Sequence, residues 1–156
     1  DFFSLFYLHF VKNKKGTNSD YWNSLADNAK HRAWTGFSFE LLCQAHLEQI
    51  KQALGISGIT SYTSGWRSRK QETSAQIDLI IDRNDNVINL CEMKFSNKEF
   101  IIDKNYDKIL QHKKWAFLEE TKTKKAIHIT LISTYGIKQN EYWHNIQNTL
   151  NLQDLF

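Results

Sequence analysis

The sequence predicts an α/β fold in which helices flank a mixed β-sheet. An amphipathic helical pattern covers residues 38–54, and a second one covers residues 104–122. Two short apolar segments, 76–82 and 87–94, lie between these helices, and a segment rich in β-branched residues follows at 126–133. Helix, strand pair, helix and strand in this order are typical of one sheet with helices packed against it.

Length and composition indicate one globular domain. The chain has 156 residues, of which 41% are hydrophobic, so it is long enough for one real core and too short for two. Its net charge of +3 permits nucleic-acid binding without arguing for it. Cys43 and Cys91 lie within apolar patterns and form no CxxC pair. We therefore expect buried thiols in a reducing compartment, the cytoplasm.

The first residues predict a segment separate from the main domain. Residues 1–12 are aromatic and helical in pattern, and a polar loop follows to residue 23. No stretch has transmembrane length, and the basic flank of a signal peptide is absent, so we expect no membrane partner. The chain also starts without Met. We expect a fragment of a longer protein, with residues 1–23 as a preceding tail or docking helix plus loop and 24–156 as the main domain.

The first strong helix is expected at 38–54, after weaker helical character from about residue 24 that is interrupted at 35–36. Ser38 is the expected N-cap, and Gly55 is expected to end the helix. One apolar stripe at helical spacing supports this helix, formed by Phe39, Leu42, Cys43, His46, Leu47, Ile50 and Leu54.

The remaining segments are assigned from composition. Residues 59–64 predict a short strand, 66–74 a polar and basic loop, and 142–150 a closing helix. The helix at 104–122 is expected to turn one side inward, with Tyr106, Ile109, Leu110, Ala116 and Phe117.

The polar run at 83–86 predicts a turn that joins the two central strands as an antiparallel hairpin. If the hairpin is centred on Asp85, Asp78 lies opposite Glu92. Strict alternation places both on one face, and Lys94 follows about 7 Å beyond Glu92 on that face. Two acids and a lysine thus converge within apolar strands, where an unpaired charge is costly.

A divalent metal ion is one natural way to compensate two opposed carboxylates. Mg²⁺ prefers hard oxygen ligands, and its bound water can serve phosphodiester chemistry. Lys94 would then neutralise charge on the phosphate or help to orient and deprotonate that water. The alternative is a surface hairpin with a polar end.

These residues resemble the motif of the PD-(D/E)XK superfamily. Its pattern is an acid on one strand, then an acid, any residue and a lysine on the next, and Asp78, Glu92 and Lys94 match the three positions. The resemblance implies a restriction-endonuclease-like fold, a nuclease activity and Mg²⁺ or Mn²⁺ as cofactor.

The same family often adds an acid from the preceding helix. Glu40 is the matching position here, and Glu48 is the alternative, further from the apolar stripe. Gln76 resembles a polar residue that many members carry near the first acid. The proline that often precedes this acid is replaced by Ile77.

A narrower resemblance extends over most of the chain. Segments 34–40, 50–56, 76–83 and 152–156 are similar to the C-terminal nuclease-like domain of certain prokaryotic AAA-type ATPases. This implies an ATPase domain in cis, N-terminal to this chain, and a role linked to nucleic acid. The P-loop pattern GxxxxGK[ST] does not occur within the chain itself.

An aromatic and basic segment before the aspartate strand is a candidate nucleic-acid contact. Arg67, Arg69 and Lys70 would meet phosphates, together with Gln76, and Trp66 would stack on a base. A surface loop is the alternative interpretation.

The leading hypothesis is therefore a Mg²⁺-dependent nuclease domain that acts on DNA. Asp78 and Glu92 would hold the metal, Glu40 would complete its ligands, and Lys94 would assist catalysis. The second hypothesis is a catalytically silent module of the same fold, used for DNA binding or for docking. A serine or cysteine hydrolase has little support, since no GxSxG occurs.

Overall fold

The computed structural model describes residues 1–12, 28–70 and 74–156. The chain divides into two compact units, Asp1–Ser38 and Phe39–Phe156. The expected domain boundary between residues 23 and 24 lies outside the described residues and stays a prediction.

The first unit is helical. Helix α1 (Phe2–Phe6) is capped by Asp1, whose carboxylate accepts the Ser4 backbone N–H at 2.8 Å, and a π-helical turn (Tyr7–Val11) follows. Helix α2 (Ala29–Ala45) begins in this unit. Within the unit, the ring of Trp34 stacks on His9 with centroids 4.9 Å apart.

Helix α2 corrects two expectations about where the first strong helix begins. It runs without interruption through Thr35 and Gly36, so the predicted break and the Ser38 N-cap are wrong. The Thr35 hydroxyl donates to the Arg32 carbonyl at 2.9 Å, which satisfies this side chain inside the helix. A single glycine costs a helix only about 1 kcal/mol, which neighbouring turns offset.

The predicted helix 38–54 is divided at His46. A second helix, α3 (Leu47–Ala53), starts after a His46 backbone with φ −113° and ψ 34°, and the His46 ring Nδ1 lies 2.8 Å from the Leu42 carbonyl oxygen. Gly55 adopts φ 70°, a conformation that glycine takes at little cost, and the predicted end of the helix is confirmed.

The second unit contains a five-stranded mixed sheet, whose strands lie side by side in chain order. The strands are β1 (Ser61–Arg67), β2 (Gln76–Arg83), β3 (Val87–Lys94), β4 (Ala126–Ser133) and β5 (Asn148–Asn151). The β1–β2 and β2–β3 pairs are antiparallel, whereas β3–β4 and β4–β5 are parallel. Helix α4 (Lys104–Thr121) crosses over from β3 to β4, as the parallel pairing requires.

Hydrophobic clusters lie on both faces of this sheet. Leu79 and Ile81 of β2 pack with α2 and α3 residues, including Cys43. Ile80, between them in sequence, packs instead with Phe117 of α4. Because neighbouring strand residues face opposite sides, helices cover both faces, and the predicted α/β fold with a mixed sheet is confirmed. Cys43 and Cys91 are free and buried, as expected.

The predicted closing helix at 142–150 is wrong. A short 3₁₀ turn (Trp143–Asn145) is followed by β5, and a second 3₁₀ turn (Leu152–Leu155) follows this strand. Leu150 of β5 is buried in the core next to β4. Strand β1 also extends further than predicted, because Trp66 packs edge-on against Phe117, with ring centroids 5.3 Å apart.

Candidate active site

The hairpin of β2 and β3 has the register that the turn chemistry predicts. Leu79 pairs with Cys91, and Asp82 pairs with Ile88, so that paired residue numbers sum to the expected value. Asp78 lies one residue beyond the last of these pairs.

A register shift next to Asp78 interrupts strand alternation between Ile77 and Ile80. Strand β1 advances from Ser64 to Trp66 while its partner β2 goes from Ile80 to Ile77, which leaves one extra residue in β2. Ile77 and Ile80 pack in the same cluster, three residues apart. The simple alternation used to place Asp78 on the face of Ile80 does not hold across this shift. Bulges of this kind re-aim side chains, often beside active sites.

The Asp78 carboxylate lies in a crowded charged environment. Burial raises its pKa first, and the negative charge of Glu92 raises it further. The ammonium groups of Lys113 and Lys94 and a hydrogen bond from the Met93 backbone N–H oppose this increase. Asp78 is therefore within electrostatic reach of both the acid and the lysine with which it was predicted to converge.

Glu40 of α2 belongs to the same group. Burial raises its pKa, and the next largest cause is Asp78, with a smaller contribution from Glu92. Lys94 and Lys113 lower it. Glu40, Asp78, Glu92 and Lys94 thus lie within electrostatic range of one another, on one helix and two strands.

The alternative acid, Glu48, does not join the group. Its side chain is 79% exposed and pairs with Lys51 at 3.0 Å on α3.

Glu92 is the most deeply buried acid of the site and pairs with two lysines. Its side chain is only 6% exposed. Lys113 of α4 lies 2.5 Å from its Oε2, and Lys94 lies 3.4 Å from its Oε1. Both carboxylate oxygens therefore face an ammonium group.

Lys113, which stands beside Lys114 in the chain, was not selected in the sequence analysis. The helical period contains a signal for it, since Lys113 follows Leu110 by three residues and precedes Phe117 by four. Leu110 and Phe117 are both buried, so Lys113 borders the inward side of α4.

Tyr106 of α4 is a second missed site residue, expected only as an inward-facing aromatic. Its hydroxyl is buried beside the Glu92 carboxylate without forming a well-aligned hydrogen bond. Burial raises its pKa, and the charges of Glu92 and Asp78 raise it further. The Lys94 ammonium lies 5.5 Å from the centre of its ring, within cation–π range.

The donor chemistry and charge of this group fit a hard divalent cation. Three carboxylates (Glu40, Asp78 and Glu92) against two ammonium groups (Lys94 and Lys113) leave a net charge of −1 when all are ionised. Carboxylate oxygens are the ligands that Mg²⁺ and Mn²⁺ prefer. Across residues 1–12, 28–70 and 74–156, however, no three His, Cys, Asp or Glu side chains form a group arranged to hold a metal ion. Both oxygens of Glu92 already face a lysine, so a cation bound there would share or displace these contacts.

The predicted nucleic-acid contacts divide into two pairs. Arg67 donates to the Gln76 amide oxygen at 2.7 Å, two residues before Asp78. The Arg69 backbone N–H instead donates to Glu120 at 3.1 Å, and Lys70 is exposed beside it.

Glu120 follows Lys113 by seven residues on α4, a distance of about 10 Å along a helix. Arg67 and Gln76 therefore lie on the site side of this segment, and Arg69 and Lys70 lie further along α4.

Among the residues that the structure describes, none of the helices is both long and apolar enough to cross a bilayer.

Comparisons with known proteins give one distant structural likeness. The crystal structure of AF1548, a protein described as of unknown function, superposes with a TM-score of 0.49 at 12% sequence identity. The match spans 74% of this chain and 64% of that one. No protein-family model matches the sequence, and no curated protein matches it.

Proposed function

We propose that the unit Phe39–Phe156 is a metal-dependent nuclease domain that hydrolyses phosphodiester bonds of DNA. One observation carries the proposal: carboxylates from α2, β2 and β3 lie within electrostatic range of one another, and two lysines pair with the buried Glu92 in an otherwise apolar sheet. Structural proteins seldom keep such a cluster, because desolvated like charges destabilise a fold.

Each side chain has a role in this proposal. Asp78, Glu92 and Glu40 would hold Mg²⁺ or Mn²⁺, which supplies an activated water and stabilises charge on a phosphoryl oxygen when bound. Lys94 has a 37% exposed side chain, so its ammonium can meet a phosphate oxygen from solvent while it stays beside Glu92.

DNA as substrate, and an ATPase domain in cis, belong to the same proposal. They are supported by the match of Asp78, Glu92 and Lys94 to the PD-(D/E)XK pattern and by the similarity of the longer segments to nuclease-like domains of AAA-type ATPases. Arg67 and Gln76 lie next to the cluster and supply polar donors for a strand.

A cleavage assay tests the proposal. Plasmid and single-stranded DNA are incubated with the protein and Mg²⁺ or Mn²⁺, and Asp78→Ala and Lys94→Ala are compared with wild type. Asp82→Ala is the matched control, because Asp82 lies on the same strand but pairs with Lys125 at 2.6 Å. We expect cleavage by wild type and the control only. Cleavage that survives both site substitutions would remove the assignment.

A catalytically silent module is the second candidate, and the double lysine pairing of Glu92 favours it. Two ammonium groups on one buried carboxylate can form a purely structural network. Calorimetric titration with Mn²⁺ separates the candidates. If the wild type binds Mn²⁺ and Asp78→Ala does not, the nuclease is supported. If the wild type does not bind Mn²⁺, the silent module is supported.

A further inference from the structure

A basic cleft lies beside the carboxylate cluster. It has a volume of about 330 Å³ and is lined in part by Gln76, Lys108, His112 and Lys113. This volume is within the usual range for small-ligand sites, which begins at about 300 Å³. Among the described residues that line it, none is acidic.

The cleft and the carboxylate cluster meet at Lys113. This residue lines the cleft, while its ammonium is 2.5 Å from Glu92. Its side chain is 19% exposed, so it is partly open to solvent on the cleft side. Lys108 and His112 are exposed and one helical turn apart on α4.

We propose that this cleft is a phosphate subsite for the nucleotide next to the one at the carboxylates. Lys108 and His112 contact that phosphate, and Lys113 exchanges its ammonium between Glu92 and the phosphate. The inference rests on the proposed function in taking a nucleic-acid strand as the ligand. The inference goes further because it places the nucleic-acid strand along Lys108 and His112 of α4 rather than along Arg69 and Lys70.

The exchange follows from charge. A lysine held by a carboxylate offers less positive potential to a second anion, so Glu92 weakens the subsite as long as it holds Lys113. Removing the negative charge of Glu92 frees that ammonium. Phosphate affinity must then depend on Glu92 and Lys113 together rather than on each alone.

Binding of fluorescein-labelled octathymidylate in EDTA, followed by fluorescence anisotropy, tests the subsite without cleavage. We expect Lys108→Gln to weaken binding and to lower the salt slope of log Kd by about one. Lys122→Gln is the matched control, because Lys122 follows the same helix but pairs with Glu119 at 3.0 Å. Inorganic phosphate is the competing probe, and weak competition shows that the strand is the ligand rather than the free ion.

A double-mutant cycle tests the exchange. Glu92→Gln should tighten octathymidylate binding by about threefold or more when Lys113 is present, and by clearly less in a Lys113→Gln background. The same cycle with Lys122→Gln should show no coupling. Circular dichroism verifies that each variant is folded, and the exposed Lys108 keeps the subsite testable if Lys113→Gln is unfolded.

Either of two results would overturn the inference. Lys108→Gln and Lys122→Gln could bind octathymidylate with equal affinity, or Glu92→Gln could tighten binding equally with and without Lys113. Failure of the inference is distinguishable from failure of the nuclease proposal. If the wild type cleaves DNA and Lys108→Gln binds octathymidylate as tightly as the wild type, only the subsite is refuted. If Lys108→Gln weakens binding and Glu92 and Lys113 are coupled, but no DNA is cleaved, only the nuclease proposal is refuted.

Discussion

The ammonium of Lys113 lies 2.5 Å from Oε2 of Glu92 and ties helix α4 to strand β3. The acid has a 6% exposed side chain, so its charge depends on this partner and on Lys94. A buried charge that loses one partner is costly because neither water nor another cation replaces it.

Lys113→Ala should therefore destabilise the protein at neutral pH, by about 1–3 kcal/mol. Lys113→Gln should cost less, since its amide can still donate a hydrogen bond. Urea denaturation gives the free energy of unfolding. Lys122→Ala removes a lysine from an exposed pair with Glu119 and should change stability by less than about 0.5 kcal/mol. Equal effects of the two alanine variants would show that the buried pair contributes nothing special.

Asp78→Asn should stabilise the folded protein at neutral pH, as should Glu40→Gln. The pKa of each acid is raised in the folded state, chiefly by burial and then by a neighbouring carboxylate. Folded protein therefore holds these protons more tightly than the unfolded chain does. The contribution of these two acids to the stability of the wild type falls as pH rises from the unfolded pKa through the raised folded one.

The gain from either amide should be roughly 0.5 kcal/mol, since both groups are partly exposed and screened. It should vanish below about pH 4, where the unfolded carboxyls are also protonated. Denaturation curves at several pH values measure this. Asp82→Asn is the control, because it breaks an ion pair with Lys125 and should not stabilise. A gain that persists at low pH would assign it to packing rather than to charge.

The sequence predicts the strand register that places Glu92, but it does not predict the ion pair between Glu92 and Lys113. The β2–β3 register was predictable because a polar turn between two apolar strands permits few alignments, and the pairing of Leu79 with Cys91 confirms it. The ion pair to Lys113 was not, since a lysine pair in a helix is usually solvated. Only the packing of α4 on the sheet decides which lysine turns inward.

The extra residue between Ile77 and Ile80 and the strand β5 were missed for other reasons. A bulge depends on how β1 pairs with β2, and one added residue leaves no periodic trace in either strand. Residues 142–150 carry a helix-like apolar spacing, but parallel pairing with β4 and the burial of Leu150 outweigh that local preference. Long-range pairing of this kind is absent from a local pattern.

Tyr106→Phe should leave stability unchanged or raise it by up to about 1 kcal/mol. Its hydroxyl is buried beside the Glu92 carboxylate and makes no well-aligned hydrogen bond, so removing the oxygen removes a poorly satisfied group while the ring stays near Lys94. Thermal unfolding measures the effect. Tyr135→Phe, at a 61% exposed position, is the control and should be neutral. A marked loss of stability in Tyr106→Phe would mean that the hydroxyl has a partner in solution.

Asn89 offers a test of the placement of β5. Its side chain is fully buried, and its amide nitrogen donates to Thr130 at 3.0 Å and to Asn148 of β5 at 3.2 Å. Arg83 donates to its amide oxygen at 3.3 Å. Asn89→Ala should cost about 2–4 kcal/mol, because it leaves buried polar groups unpaired.

Asn148→Ala should cost less alone, and the two substitutions together should cost less than their sum, by about 0.5–1.5 kcal/mol. The free energies of unfolding of the four proteins in this cycle give the coupling. Asn105→Ala, at an exposed position of α4, paired with Asn89→Ala provides the additive control. Additive losses for Asn89 and Asn148 would mean that the two side chains do not interact, and that β5 does not lie within side-chain reach of β3.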